Sequence, residues 1–334
     1  MKRFFVLSFV LLLTLLLVLP QPLMAESGRR NDSNSATVSF KGGNATGDEI
    51  EIVKKVAPVG WPKFVPSRGG KPVAAKGVLG TPLPEGGKRY AVVVGISDYP
   101  GDEMDIHYAD DDAILVASVL GASYGFDELR LLVDGAATRD AVLGAIEEIK
   151  GLESGDDEVV FYFSGHGARL VPARGQAQVG IVTWGAEQPV PYPEFIWDKE
   201  LRTAFKGFES DRIICIFDCC LAGGMSDLAG KGRIICMAST QNGYAAEYGE
   251  AYGPPIPGIG QVNHGFFTYF FVVLGMQYGM ADVYDHDGNP ATPDVTIEEA
   301  YDFARANLQA MSLASPELWQ IPTIGDHFPR DLSL

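Results

Sequence analysis

The sequence predicts an α/β fold in which helices cover both faces of a mainly parallel sheet. From Tyr90 onward, short apolar runs are separated by amphipathic segments, the pattern of strands and helices taken in turn. Those apolar runs are continuous rather than alternating, as expected of strands buried on both faces. In chain order, the first strand is expected over 90–96, followed by a helix over 109–121 that opens with Asp110, Asp111 and Asp112 and meets Gly121 at its end. Acids at a helix start suit the macrodipole, and glycine suits a helix stop. A strand over 129–133 precedes a helix over 138–150, where Thr138 fits an N-cap and Gly151 a stop. Strands follow over 158–163, 212–217 and 233–238, with helices over 198–205, 266–278 and 297–309.

The chain has 334 residues, 46% of them hydrophobic, enough to bury a substantial core. Residues 1–25 open with Lys2 and Arg3, run through an apolar stretch from Phe4 to Leu19 and reach Leu23-Met24-Ala25 before Glu26. This reads as an export signal cut after Ala25, shorter than the about 20 apolar residues that span a bilayer. The mature chain is therefore expected in the cell envelope or secreted, with no stable membrane span. Residues 26–87 are rich in Gly, Pro, Ser, Lys and Asn, lack hydrophobic periodicity and read as a flexible linker or prosegment. Asn44-Ala45-Thr46 matches a glycosylation sequon. Residues 88–334 form the folded domain.

The net charge of −17 opposes a phosphate backbone and removes nucleic acid from the expected partners, whereas cationic peptides suit it. Cys215, Cys219, Cys220 and Cys236 fall within one short stretch. They form no disulfide framework and lack the spacing of a metal site. Cys215 and Cys236 lie inside apolar runs, where a thiol behaves as a small hydrophobe.

Ligands of open parallel sheets bind beyond the carboxyl ends of the strands, and two expected strands end there in reactive residues. One breaks at Ser164-Gly165-His166-Gly167, the other at Asp218-Cys219-Cys220-Leu221-Ala222-Gly223-Gly224. If the two strands are neighbours, about 4.8 Å apart, His166 and one of the cysteines can share a substrate carbonyl. A thiol nucleophile, a base to manage its proton and backbone donors for an oxyanion are the parts of a cysteine peptidase.

On these motifs, together with Tyr90-Ala91-Val92-Val93-Val94-Gly95-Ile96, the segment from Tyr108 to Ala113 and His264-Gly265-Phe266-Phe267-Thr268, the chain resembles the caspase-like peptidases. The likeness is to the metacaspase and orthocaspase branch of the clan that also holds legumain, clostripain and the gingipains. In caspases the histidine precedes the cysteine by about 50 residues; Cys220 follows His166 by 54. The resemblance implies a caspase-like α/β/α sandwich with Cys220, in the Asp-x-Cys register, as nucleophile, and His166 as proton carrier. The backbone N–H groups of Gly167 and Cys220 would face the oxyanion, leaving Cys219 as packing. Metacaspases continue His-Ser-Gly after the nucleophile, whereas this chain has Leu221-Ala222-Gly223.

Caspases hold a P1 aspartate with arginines, and metacaspases hold P1 Arg or Lys with acids. The resemblance carries Asp112 and Asp218 onto a pocket for a basic side chain, with Glu247 as a third candidate, although Asp112 is also explained by its helix start. The expected activity is a thiol protease cutting after Arg or Lys. Such an enzyme could trim its own leader after Arg68, Lys71, Lys76, Lys88 or Arg89. The rival expectation is a catalytically inactive caspase-like interaction or calcium-binding module of the cell envelope. No cofactor is required. Calcium is left open because some metacaspases use it, but the acidic segment from Asp282 to Asn289 fails the EF-hand spacing and reads as a solvated turn. His107, His264, His286 and His327 show no partner pattern.

Overall fold

The structure is a computed structural model that describes residues 37–40, 49–58, 64–66, 71–185, 194–284, 294–314 and 318–334. All of these belong to one compact unit, Ala36–Leu334. The expected signal, the sequon, Arg68 and most of the acidic 282–289 segment lie outside the described residues.

The strands are β1 Thr37–Phe40, β2 Glu49–Val53, β3 Arg89–Gly95, β4 Glu128–Val133, β5 Glu158–Ser164, β6 Gly167–Val171 and β7 Gln178–Thr183, then β8 Glu194–Trp197, β9 Ile213–Asp218, β10 Arg233–Met237, β11 Glu247–Tyr248, β12 His264–Gly265 and β13 Thr323–Asp326. The α-helices are α1 Ala109–Tyr124, α2 Arg139–Leu152, α3 Asp198–Ala204, α4 Phe266–Thr268 and α5 Ile297–Ala314. A π-helix over Tyr269–Gln277 continues α4.

Six strands form the main sheet in the order β13-β10-β9-β5-β3-β4, parallel throughout except for β13. Every residue of β5 and β9 is buried, which explains why their sequences read as continuous apolar runs. Helix α1 packs with the π-helix, which packs with α5, while α2 packs with α3. Phe266, Phe267, Phe270 and Phe271 are all fully buried, as a helix apolar on every side must be.

Thr138 caps α2 as expected, its hydroxyl accepting the Ala141 N–H at 3.2 Å. The expected stops at Gly121 and Gly151 are not used: both glycines lie inside helices, and α1 ends at Gly125 in the left-handed region at φ +64°. An internal glycine is tolerated when the packed face continues past it.

A second, antiparallel sheet runs β1-β2-β6-β7-β8. Its first two strands come from the segment read as a linker, and β2 pairs with β6 so that Val53 faces Gly167. Farther along, the Asp302 carboxylate accepts the N–H groups of Val73, Ala74 and Ala75, and the Asp331 carboxylate accepts those of Lys76 and Gly77. These partners lie more than 100 residues away in the chain. Local composition therefore read as flexible a segment whose described stretches are pinned by distant acids and a distant strand edge.

Candidate active site

The adjacency on which the site depends is present. Strands β5 and β9 run side by side and parallel, with Ser164 opposite Asp218. His166 and Cys220 stand equally far beyond that pair, at the carboxyl ends. Gly167 is packed so closely that a Cβ there would lie 1.9 Å from the Cys220 carbonyl oxygen, so only glycine lets the two turns meet. Leu221, just after the thiol, has φ +59°, a conformation costly for a residue with a Cβ and typical of strained functional turns.

His166 is fully buried. Its ring stacks on Tyr99 with centroids 4.5 Å apart, and its backbone N–H donates to the Tyr99 hydroxyl at 2.9 Å. Nε2 is hydrogen-bonded to the Met104 carbonyl. A carbonyl can only accept, so Nε2 carries the proton and Nδ1 is the basic nitrogen. Nδ1 is buried without a hydrogen-bond partner. Burial pushes the imidazole down to about 3, opposed by the Met104 hydrogen bond.

The Cys220 thiol donates to the Lys54 carbonyl at 3.2 Å, and its sulfur accepts the Ala245 N–H at 3.1 Å. Burial pushes this thiol up to about 12. Cys219 is also fully buried and no side-chain hydrogen bond is seen for it among those described; burial holds its pKa well above the ordinary value.

All three candidate pocket acids are fully buried, and all three bear on one cation, Lys55. Its ammonium lies 3.5 Å from Asp112, 3.3 Å from Asp218 and 2.8 Å from the Ser164 hydroxyl. The Ser164 hydroxyl in turn donates to Asp112 at 2.8 Å. Asp112 also accepts the Gly265 N–H and faces His264 Nδ1 at 3.0 Å, so its side chain is engaged by residues far from its helix start. Asp218 is held by the Thr268 N–H and hydroxyl at 3.0 and 2.7 Å. Glu247 accepts from the His107 N–H and the Tyr252 hydroxyl.

Burial alone would lower the Lys55 pKa, yet Asp218, Asp112 and Glu247 outweigh it and hold it above its ordinary value. Burial likewise raises Asp218 and Glu247, against the pull of Lys55. The raised lysine keeps a charged ammonium at the centre of this cluster.

The sequence reading missed Lys55, Met104, Tyr99 and the role of Ser164. Ser164 stood in plain view within the histidine motif, and the apolar alternation of Ile50 and Ile52 could have signalled β2. Nothing local marks the Met104 carbonyl as the group that orients the histidine. Of the basic residues expected as self-cleavage points, Lys76 is tied to Asp331 and Asp326, the Lys88 N–H donates to Asp157 at 2.7 Å and Arg89 opens β3.

An open depression of about 520 Å³ lined by Arg202, Lys206 and Arg233 lies at the amino-terminal ends of the strands, away from this chemistry. Among the described residues, no group of three His, Cys, Asp or Glu is placed to hold a metal ion, and no helix is long and apolar enough to cross a membrane.

Parts of this chain are similar to known proteins. A metacaspase of the diatom Phaeodactylum tricornutum, "Metacaspase III c", is 27% identical over 157 residues, which cover 42% of this chain and 45% of that relative. The match thus spans less than half of the relative's length. A Geobacter sulfurreducens protein of known crystal structure superposes with a TM-score of 0.48 at 15% identity, covering 73% of this chain and 95% of that one, a likeness too slight to carry an argument. The profile of the caspase domain matches residues 88–325, which include both strand-end motifs, and the chain belongs to the caspase domain family of cysteine peptidases.

Proposed function

We propose that the protein is an exported cysteine endopeptidase that cuts peptide bonds after Arg or Lys. The observation that carries this reading is the buried ammonium of Lys55 held between Asp112, Asp218 and Ser164 while the adjoining Lys54 carbonyl rests on the Cys220 thiol. A site that seats one basic side chain beside its thiol is built to seat another.

In the proposed reaction His166 Nδ1 takes the proton from Cys220 Sγ, because Nε2 is committed to Met104. The thiolate attacks the carbonyl carbon of the basic residue, and the backbone N–H groups of Gly167 and Cys220 face the oxygen as it gains charge. The His166 imidazolium returns the proton to the leaving amine, and water then releases the acyl group. Cys219 has no part in this.

A panel of fluorogenic peptides differing only at P1 tests the reading, run on full-length protein and on variants that release Lys55 (below). Cleavage after Arg and Lys should vanish in Cys220→Ala, persist in Cys219→Ala and fall by about 10² to 10⁴ in His166→Ala. Preference for P1 Asp, or activity surviving in Cys220→Ala, would overturn it. Absence of turnover with every peptide would favour the inactive interaction module.

A further inference from the structure

Residues 49–58 make extensive contacts with the site, yet the proposed reaction uses none of them. Strand β2 adds to the edge of β6 beside His166. The chain then crosses the thiol at Lys54 O and places Lys55 in the acidic pocket. Beyond it, the Val56 N–H donates to Ala245 O at 3.0 Å, and Val56 O accepts the Glu247 N–H at 3.1 Å, a parallel pairing on Ala246. Ile52, Val53 and Lys55 are all buried. The segment thus occupies two strand edges and the pocket between them, as an extended peptide ligand does in strand addition.

Its register is wrong for cleavage. An enzyme that cuts after a basic residue must bring that residue's own carbonyl carbon to the sulfur. Here the pocketed residue is Lys55, but the carbonyl at the thiol belongs to Lys54, and it is met through its oxygen as a hydrogen-bond acceptor. We propose that residues 49–58 are a built-in inhibitor, a lysine-bearing pseudosubstrate held one residue out of cleavage register, whose displacement frees the same two strand edges for an extended basic peptide. This rests on reading Cys220 as the nucleophile and Asp112 with Asp218 as the pocket. Burial beneath the segment pushes the thiol up and the imidazole down, which disfavours the thiolate.

The test uses full-length protein and two readouts: turnover of a P1-Arg peptide, and the rate at which iodoacetamide, which needs no pocket, alkylates Cys220 as read by mass spectrometry. Lys55→Glu sets a carboxylate against Asp112 and Asp218 and should expel the segment. Val56→Pro removes the N–H that holds Ala245 O without charging the pocket, and serves if the first variant fails to fold. Both should alkylate on the order of 10²-fold faster than wild type and turn over the peptide, whereas Lys55→Arg should stay latent. A synthetic peptide of residues 49–58 should restore protection in trans, and the same peptide carrying Lys55→Glu should not. Wild-type Cys220 alkylating as fast as the released variants would overturn the inhibitor, and would leave the protease reading standing if cleavage is Cys220-dependent. Faster alkylation and peptide protection without P1-Arg turnover would support the inhibitor and defeat the protease reading.

Discussion

The contact between the turns that carry His166 and Cys220 can be tested by a single methyl group. In Gly167→Ala the new Cβ would lie 1.9 Å from Cys220 O, 2.8 Å from its carbonyl carbon and 3.5 Å from its Cα. Carbon and oxygen do not approach within about 3 Å, so the turns must separate by about 1 Å, and every close neighbour is backbone, which cannot rotate aside. A displacement of about 1 Å in a catalytic constellation costs about 10²-fold in rate, and forcing an extra carbon into a packed site costs about 1–3 kcal/mol of stability. The assay is kcat/KM on a P1-Arg peptide in the Lys55→Glu background, with thermal melts alongside. Gly144→Ala is the control: it lies exposed within α2, nothing stands within 4 Å of its added Cβ, and it should keep full activity with stability unchanged or raised by up to about 1 kcal/mol. Gly167→Ala with wild-type Tm and activity within a few-fold would refute the close packing of Gly167 against the Cys220 backbone.

Three further expectations follow from named contacts. Asp218→Asn keeps an oxygen for Thr268 but loses the charge facing the basic side chain; kcat/KM for P1 Arg should fall by about 10²-fold or more, since truncating a buried charge pair costs about 2–5 kcal/mol, and an equal fall for a neutral P1 residue would show a merely structural role. Burial, with Asp326 and Asp331 adding to it and the Leu332 N–H opposing it, raises Glu298 from its ordinary 4.5 to about 8; its Oε1 has no hydrogen-bond partner and lies 3.7 Å from the Lys76 ammonium. The folded protein therefore holds an extra proton between those values: the stabilisation is full below about 4.5 and is lost as pH rises through about 8, at up to about 1.4 kcal/mol per pH unit. Denaturant unfolding at pH 5 and pH 8 should show this decline, and Glu298→Gln should flatten it; a wild-type profile as flat as the variant's would exclude the buried acid. Thr138→Ala removes the α2 cap and should cost about 1 kcal/mol, read as a lower Tm.

The parallel sheet and the two strand ends that carry His166 and Cys220 were legible from the amino acids alone. Strands buried on both faces need continuous apolar residues, and β3, β5, β9 and β10 carry them; chemistry placed at strand ends interrupts such runs with glycine, His166 and Cys220. These are local signals, set by neighbours in the chain. Which strands lie side by side is not local, nor is the partner of a carboxylate. Only the tertiary structure decided that Ser164 meets Asp218 across β5 and β9, that the Met104 carbonyl fixes the histidine tautomer, and that Asp112 turns inward to Ser164 and Lys55. The largest difference concerns residues 49–58. Their composition is that of a linker, because a strand that adds to an existing edge borrows most of its hydrogen bonds from a distant partner and needs little hydrophobic pattern of its own. Lys55 then looks like an ordinary surface lysine until the fold surrounds it with Asp112, Asp218 and Glu247, three acids separated in sequence and brought together only by the packing of the sheet.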